Sequence, residues 1–156
     1  MELTKTQQEL KNKIVAQILK EKQEALDNIL RMQRLDEGEA QATMDDTENY
    51  YEDGKIDQAR NRITARSTVA DALAREIGIL KGIDSIEPTE EIQLGDVVHT
   101  NMGKFFVAVA SDPVEIEGET YTGISTESPL FQALLGKHNG DAITVNGNTF
   151  TLQKSF

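Results

Sequence analysis

Between Lys55 and Lys81, Ile56, Ala59, Ile63, Ala70, Leu73, Ile77 and Leu80 fall at alternating spacings of three and four, with Arg66 in the one remaining slot. Such a seam, kept for more than three heptads, folds stably only as a helix whose apolar stripe is covered by another helix. Arg66 is compatible with it because its aliphatic stem can lie along a partner while the guanidinium reaches water. No proline interrupts the run; Gly78 weakens its last turn, and Gly82, Asp84 and Pro88 supply a stop. At ~1.5 Å per residue this arm would extend roughly 40 Å.

Upstream, Leu10, Ile14, Ile18, Ala25, Ile29 and Met32, supported by Val15, Leu19, Leu26 and Leu30, form a second apolar stripe in a segment rich in Lys, Glu and Gln. A second amphipathic helix is expected, starting near Thr4 or Thr6. The two stripes bury each other most simply if the intervening residues reverse the chain, giving an antiparallel hairpin.

After Pro88 the texture changes to short apolar runs between turn residues. Asp96–Thr100, a turn at Asn101–Gly103 and Phe105–Val109 read as one β-hairpin; Ala142–Val145, Asn146-Gly147 and Thr149–Leu152 read as another. Between them, Ser128-Pro129 opens and Gly136 closes a short helix. The expected fold class is α+β, with a helical hairpin over residues 1–84 and a small β-rich domain with one short helix over residues 85–156.

Charge is distributed unevenly. Residues 1–34 carry 7 basic and 5 acidic side chains, and residues 54–84 carry 6 basic and 4 acidic ones. The stretch 35–53 between them holds 8 acidic side chains and no basic one, so the hairpin's tip, about residues 35–54, is strongly acidic. The net charge of −11 argues against wrapping duplex DNA or docking on an anionic membrane. There is no cysteine, which excludes disulfides, thiolate metal sites and cysteine nucleophiles. With no apolar run near ~18 residues and no basic-then-apolar leader pattern, a soluble, cytoplasmic protein is expected.

Within the acidic stretch stands Asp45-Asp46-Thr47-Glu48-Asn49. The C-terminal part contains Ile124-Ser125 through Ser128-Pro129-Leu130, Ala133-Leu134-Leu135-Gly136-Lys137 and Gly140-Asp141. Together, in this order, these segments resemble the bacterial GreA/GreB transcript cleavage factors, which join a helical hairpin bearing an Asp-x-x-Glu-Asn tip to an FKBP-like domain. The resemblance implies a transcription elongation factor that binds bacterial RNA polymerase as a monomer and meets nascent RNA only indirectly. It implies no enzyme in its own right; the hairpin would enter the polymerase's secondary channel and stimulate the polymerase's own cleavage of backtracked transcripts. Asp45 and Glu48 match the family's two acidic tip residues. They would help hold a Mg²⁺ shared with the polymerase, since two carboxylates alone bind Mg²⁺ weakly and a two-metal site would complete the ligand set.

The sequence departs from the family pattern after Asn49, continuing Tyr50-Tyr51-Glu52-Asp53-Gly54, and before the motif at Asp36–Thr43. Asp46 therefore competes with Asp45 for the functional role, and a noncleaving, channel-occupying factor or a structural coiled-coil adaptor stay open as alternatives. Asp45 or Thr47 could equally serve as a turn or helix cap. Tyr50 and Tyr51 read as packing at the hairpin's end, Arg60, Arg62 and Arg66 as intrahelical pairing partners, and His99 and His138 as isolated structural residues. Prolyl isomerase activity is disfavoured: there is no Trp, and Phe105, Phe106, Phe131 and Phe150 read as ordinary core.

Overall fold

The computed structural model describes residues 3–45 and 53–156, with the side chains of 36–57 and of residue 59 left aside. The chain is α+β: two long helices, α1 (Lys5–Asp45) and α2 (Asp53–Gly82), a 3-10 turn (Ile83–Ser85), and then β1 (Val97–Thr100), β2 (Gly103–Ala108), β3 (Val114–Ile116), β4 (Glu119–Ser125), α3 (Pro129–Leu134), β5 (Ala142–Val145) and β6 (Asn148–Ser155). It divides into two compact units, one formed by Met1–Lys20 with Gly78–Phe156, the other by Glu21–Ile77. Among the described residues no helix is long and apolar enough to cross a membrane.

In the helical unit, polar contacts give the direction of the two segments. Lys22 Nζ lies 3.1 Å from Glu76 of α2. Further along α1, the Arg66 guanidinium donates to the Met32 carbonyl at 3.2 Å, and the Gln33 side-chain amide donates to the Ile63 carbonyl at 3.3 Å and to the Ser67 hydroxyl. Partner numbers fall along α2 as they rise along α1, so the segments are antiparallel, as expected. Ala70, Leu73 and Ile77 are buried on the predicted seam, while Ile63 and Arg66 are half-buried; Ile56 and Ala59 fall outside the described side chains. The α1 stripe is corrected in its second half. Ala25 and Met32 are exposed, and Lys22, Leu26, Ile29 and Gln33 are the less exposed positions. Composition misled here, because two of those four places are taken by polar residues that find partners on α2.

In the sheet-bearing unit, α1 starts at a reciprocal cap. Thr4 N–H donates to the Gln7 side chain at 3.0 Å, and Gln7 N–H donates to the Thr4 hydroxyl at 3.1 Å, which satisfies two backbone donors at the helix start. The six strands are ordered β3-β4-β2-β1-β6-β5. The β2–β4 pair is parallel and every other neighbouring pair antiparallel.

Alternation along the strands sends residues to opposite faces. Val97, Phe106, Ala108, Val114, Tyr121 and Phe156 pack with Ile14 and Ile18 of α1 and with Leu80 and Ile83. Val98, Val107, Ile124, Ile143, Phe150 and Leu152 pack with Phe131 and Leu134 of α3. This β-unit is therefore layered, with helix ends on one face and α3 on the other.

Both expected hairpins are present, as is the short helix. Ser128 caps α3 by accepting from Phe131 N–H at 3.1 Å, Pro129 opens the helix, and Gly136 follows it at φ +73°. The β3–β4 hairpin was not anticipated. Its turn is Glu117-Gly118 with φ of +53° and +82°, nearly the same backbone as Asn146-Gly147 at +52° and +81°. A glutamate in the left-handed region gives no turn signal of the Asn-Gly kind.

Gly123 sits where β4 meets the chain leaving β2. A Cβ there would lie 2.4 Å from both the Val109 carbonyl and the Ser111 hydroxyl, while Gly123 N–H donates to the Ser111 hydroxyl at 3.0 Å and Ser111 N–H donates to the Gly123 carbonyl. Gly123→Ala is expected to lower stability by about 2 kcal/mol or more through backbone displacement; an unshifted denaturant midpoint would contradict the close approach. In the helical unit, Leu73→Asp is expected to cost on the order of 2 to 4 kcal/mol, and Ile63→Asp distinctly less, because only the first forces a carboxylate into a buried position. Equal losses in chemical denaturation would contradict the burial gradient along α2.

Candidate functional site

The predicted site residues fall at the end of α1 and in the connection that follows it. Asp45 is the last residue of α1, and α2 opens at Asp53 and continues through Gly54. Glu48, with Asp46, Thr47, Asn49, Tyr50, Tyr51 and Glu52, lies outside the described residues, as does the side chain of Asp45. What is placed is the backbone frame: the helix that ends at Asp45 and the helix that begins at Asp53 are paired antiparallel over Lys22–Glu76 and Gln33–Ser67.

Polar residues of α1 pair with other elements at regular intervals. Lys11, Lys22 and Gln33 are each eleven residues apart, three turns of helix, so they share one face of α1. Each is drawn out of water and meets a partner from another element: Asp96, Glu76, and the Ser67–Ile63 pair. Arg66, expected to run its stem along the seam, also spends its guanidinium on the Met32 carbonyl.

The pair Lys11–Asp96 was not anticipated as a unit. The residues are only 6% and 4% exposed, the buried charged side chains among the described residues, and Nζ and Oδ1 are 3.6 Å apart, an ion pair longer than a hydrogen bond. Asp96 Oδ2 accepts from Gln93 N–H at 3.1 Å, and the Asp96 carbonyl accepts from Val107 N–H at 2.9 Å. Burial pulls the Lys11 ammonium below its usual range, with the Asp96 charge opposing, and burial pushes the Asp96 carboxyl up against the Gln93 N–H and Lys11. The eleven-residue spacing of polar residues on an apolar stripe was the available signal for Lys11; Asp96 looked like an ordinary strand opener.

The stretch Ser125 to Lys137, which carries much of the family resemblance, forms the end of β4, its turn and α3. Phe131 and Leu134 are buried, whereas Leu135 is 47% exposed and Gln132, Gly136 and Lys137 are exposed. Its two faces thus separate packing from surface. Among the described residues no group of three or more His, Asp or Glu side chains is arranged to hold a metal.

No family model matches the chain, and no curated protein matches it. One similar solved structure is described as "Structure of the transcription factor Gfh1"; the alignment covers 86% of this chain and 90% of that chain, at 20% identity and a TM-score of 0.31. Likeness at that level leaves family and activity to be argued from the residues of this chain.

Removing one member of the Lys11–Asp96 pair strands the other charge in the core. Lys11→Met and Asp96→Asn are each expected to destabilise by roughly 2 to 4 kcal/mol, and the double variant by clearly less than the sum. Additive losses in a double-mutant cycle would show that the two groups do not interact.

Proposed function

We propose that this protein is a transcription elongation factor of the GreA/GreB kind, which binds RNA polymerase and delivers the acidic connection between α1 and α2 to the polymerase's catalytic centre. The observation supporting this reading most directly is the sequence position of Asp45-x-x-Glu48-Asn49, which starts at the last residue of α1 and runs on ahead of the antiparallel α2. Of the 8 acidic side chains of residues 35–53, a stretch with no basic one, Asp46, Glu48 and Glu52 fall in the connection and the others on the helix ends that flank it. A carboxylate cluster of that charge suits a site where metal ions and phosphates are handled, and repels free duplex nucleic acid.

The chemistry asked of the chain is modest. Asp45 and Glu48 supply hard oxygen donors whose number fits a Mg²⁺ completed by another protein, not a cage of their own. Bound there, the metal would supply Lewis acidity and an activated water for phosphodiester hydrolysis. The chain's own residues do the positioning: the paired helices carry the carboxylates, and the α3 face around Leu135 and Lys137 offers a docking surface apart from the core. In this reading the protein is not an enzyme by itself.

A channel-occupying factor that inhibits without cleaving is the second reading, favoured by the departure Tyr50-Tyr51-Glu52-Asp53-Gly54 after the motif. The two separate in one assay, in which stalled, backtracked elongation complexes receive Mg²⁺ and the protein. Asp45→Asn and Glu48→Gln preserve size but remove charge. Stimulated RNA shortening is expected to fall by orders of magnitude in both, with polymerase affinity kept, partial rescue by added Mg²⁺, and stability within about 0.5 kcal/mol of the parent. Asp53→Asn should change little. Equal cleavage by all forms, or equal inhibition with no cleavage by any, would remove the catalytic assignment.

A further inference from the structure

His99 stands on β1, and both of its cross-strand partners are lysines: Lys104 on β2 and Lys154 on β6. Side chains directly opposite on neighbouring strands lie about 5 Å apart, close enough for like charges to repel. The His99 Nε2 is shut off from water and has no hydrogen-bond partner. The ring stands edge-on to Phe156 at 5.7 Å and tilted to Tyr121 at 6.4 Å. Immediately beyond it, the Lys154–Phe156 segment closes on the start of β1 through two backbone bonds, Val97 N–H to the Phe156 carbonyl at 2.7 Å and Phe156 N–H to the Val97 carbonyl at 3.0 Å. Phe156 belongs to the apolar cluster that holds Ile14, Ile18 and Leu80.

We propose that His99 is an acid-sensitive latch: protonation of its imidazole between Lys104 and Lys154 loosens the Lys154–Phe156 segment from β1 and uncovers the apolar face on which Ile14 and Ile18 pack. The neutral ring fits its place, since it brings no charge between two ammonium groups. An imidazolium would add a third cation across three adjacent strands, with a buried N–H lacking an acceptor.

The surrounding groups have been drawn into other interactions. Lys104 is held by Glu119 at 2.5 Å, and its ammonium lies 5.9 Å from the Tyr121 ring centre. Glu119, at the start of β4, is the nearby charge that favours the imidazolium, but it is exposed and already bound to Lys104. The Phe156 ring, which could stabilise a cation, already has Lys154 at 5.1 Å and Lys11 of α1 at 5.9 Å. Burial first, then Lys104 and Lys154, hold the His99 imidazole below its ordinary range.

The sign follows from linkage. The unfolded chain takes up the histidine proton near pH ~6.5 while the folded chain resists it. The stabilisation is therefore complete above that pH and is lost progressively as pH falls from it towards the folded-state value.

Amide hydrogen exchange on the full chain, corrected for intrinsic rates, reads the latch directly between pH 7.5 and 5.5. Protection at Val97 and Phe156 is expected to drop several-fold on acidification, while Leu135, whose amide bonds the Phe131 carbonyl in the α3 turn, holds its protection. His99→Gln should abolish the pH-dependent drop. Lys154→Met should reduce it while leaving the histidine in place, and a side-chain NMR titration should show His99 titrating higher in that variant. Protection at Val97 and Phe156 that is insensitive to pH, or that falls equally in His99→Gln, would overturn the latch, as would a His99 titration unmoved by Lys154→Met.

Discussion

Ile14 and Ile18 of α1 and Leu80 of α2 are shut off from water against Val97, Phe106 and Phe156. Burying a side chain of this kind contributes about 1.5 to 3 kcal/mol, so these few positions dominate what ties helix ends to the sheet in that unit. They also impose a constraint. An apolar face of the sheet covered by α1 and α2 cannot also be solvated, so its polar members must be neutral or paired. Lys11 meets Asp96 there, and His99 is favoured in its uncharged form.

The helical unit follows a different logic. Among the described residues, Ala70, Leu73 and Ile77 are its buried apolar side chains, and Leu30, Met32, Leu35 and Val69 are exposed large ones. Lys22, Gln33 and Arg66 add polar contacts across the pair. Half-buried pairs of this sort contribute modest stability but penalise other registers, because a shifted helix would leave each polar group without its partner.

The periodic and punctuated parts of the molecule were legible in the sequence. Alternating spacings of three and four marked α2, an apolar stripe in a segment rich in Lys, Glu and Gln marked α1, Asn-Gly marked the β5–β6 turn, and Ser-Pro with a later Gly marked α3. The β3–β4 hairpin was not legible, because Glu117 takes a left-handed backbone conformation for which glutamate gives no cue. The second half of the α1 stripe was misassigned to Ala25 and Met32 because hydrophobicity was weighed above spacing, although Lys22 and Gln33 stood in the right places. Asp45 and Glu48 were singled out by family resemblance rather than geometry, and of their surroundings the structure adds the two helix ends.

The proposed function requires that the connection after Asp45 reach the catalytic centre of RNA polymerase. Photocrosslinking tests it most directly, with a photoreactive amino acid at Tyr50 and another at Leu135, in a stalled elongation complex. Crosslinks from position 50 to the polymerase's secondary channel or to the transcript's 3′ end, and from position 135 to the polymerase's outer surface, are expected. Polymerase crosslinks from position 135 alone would make the chain an adaptor, and none from either position would contradict the assignment to transcription.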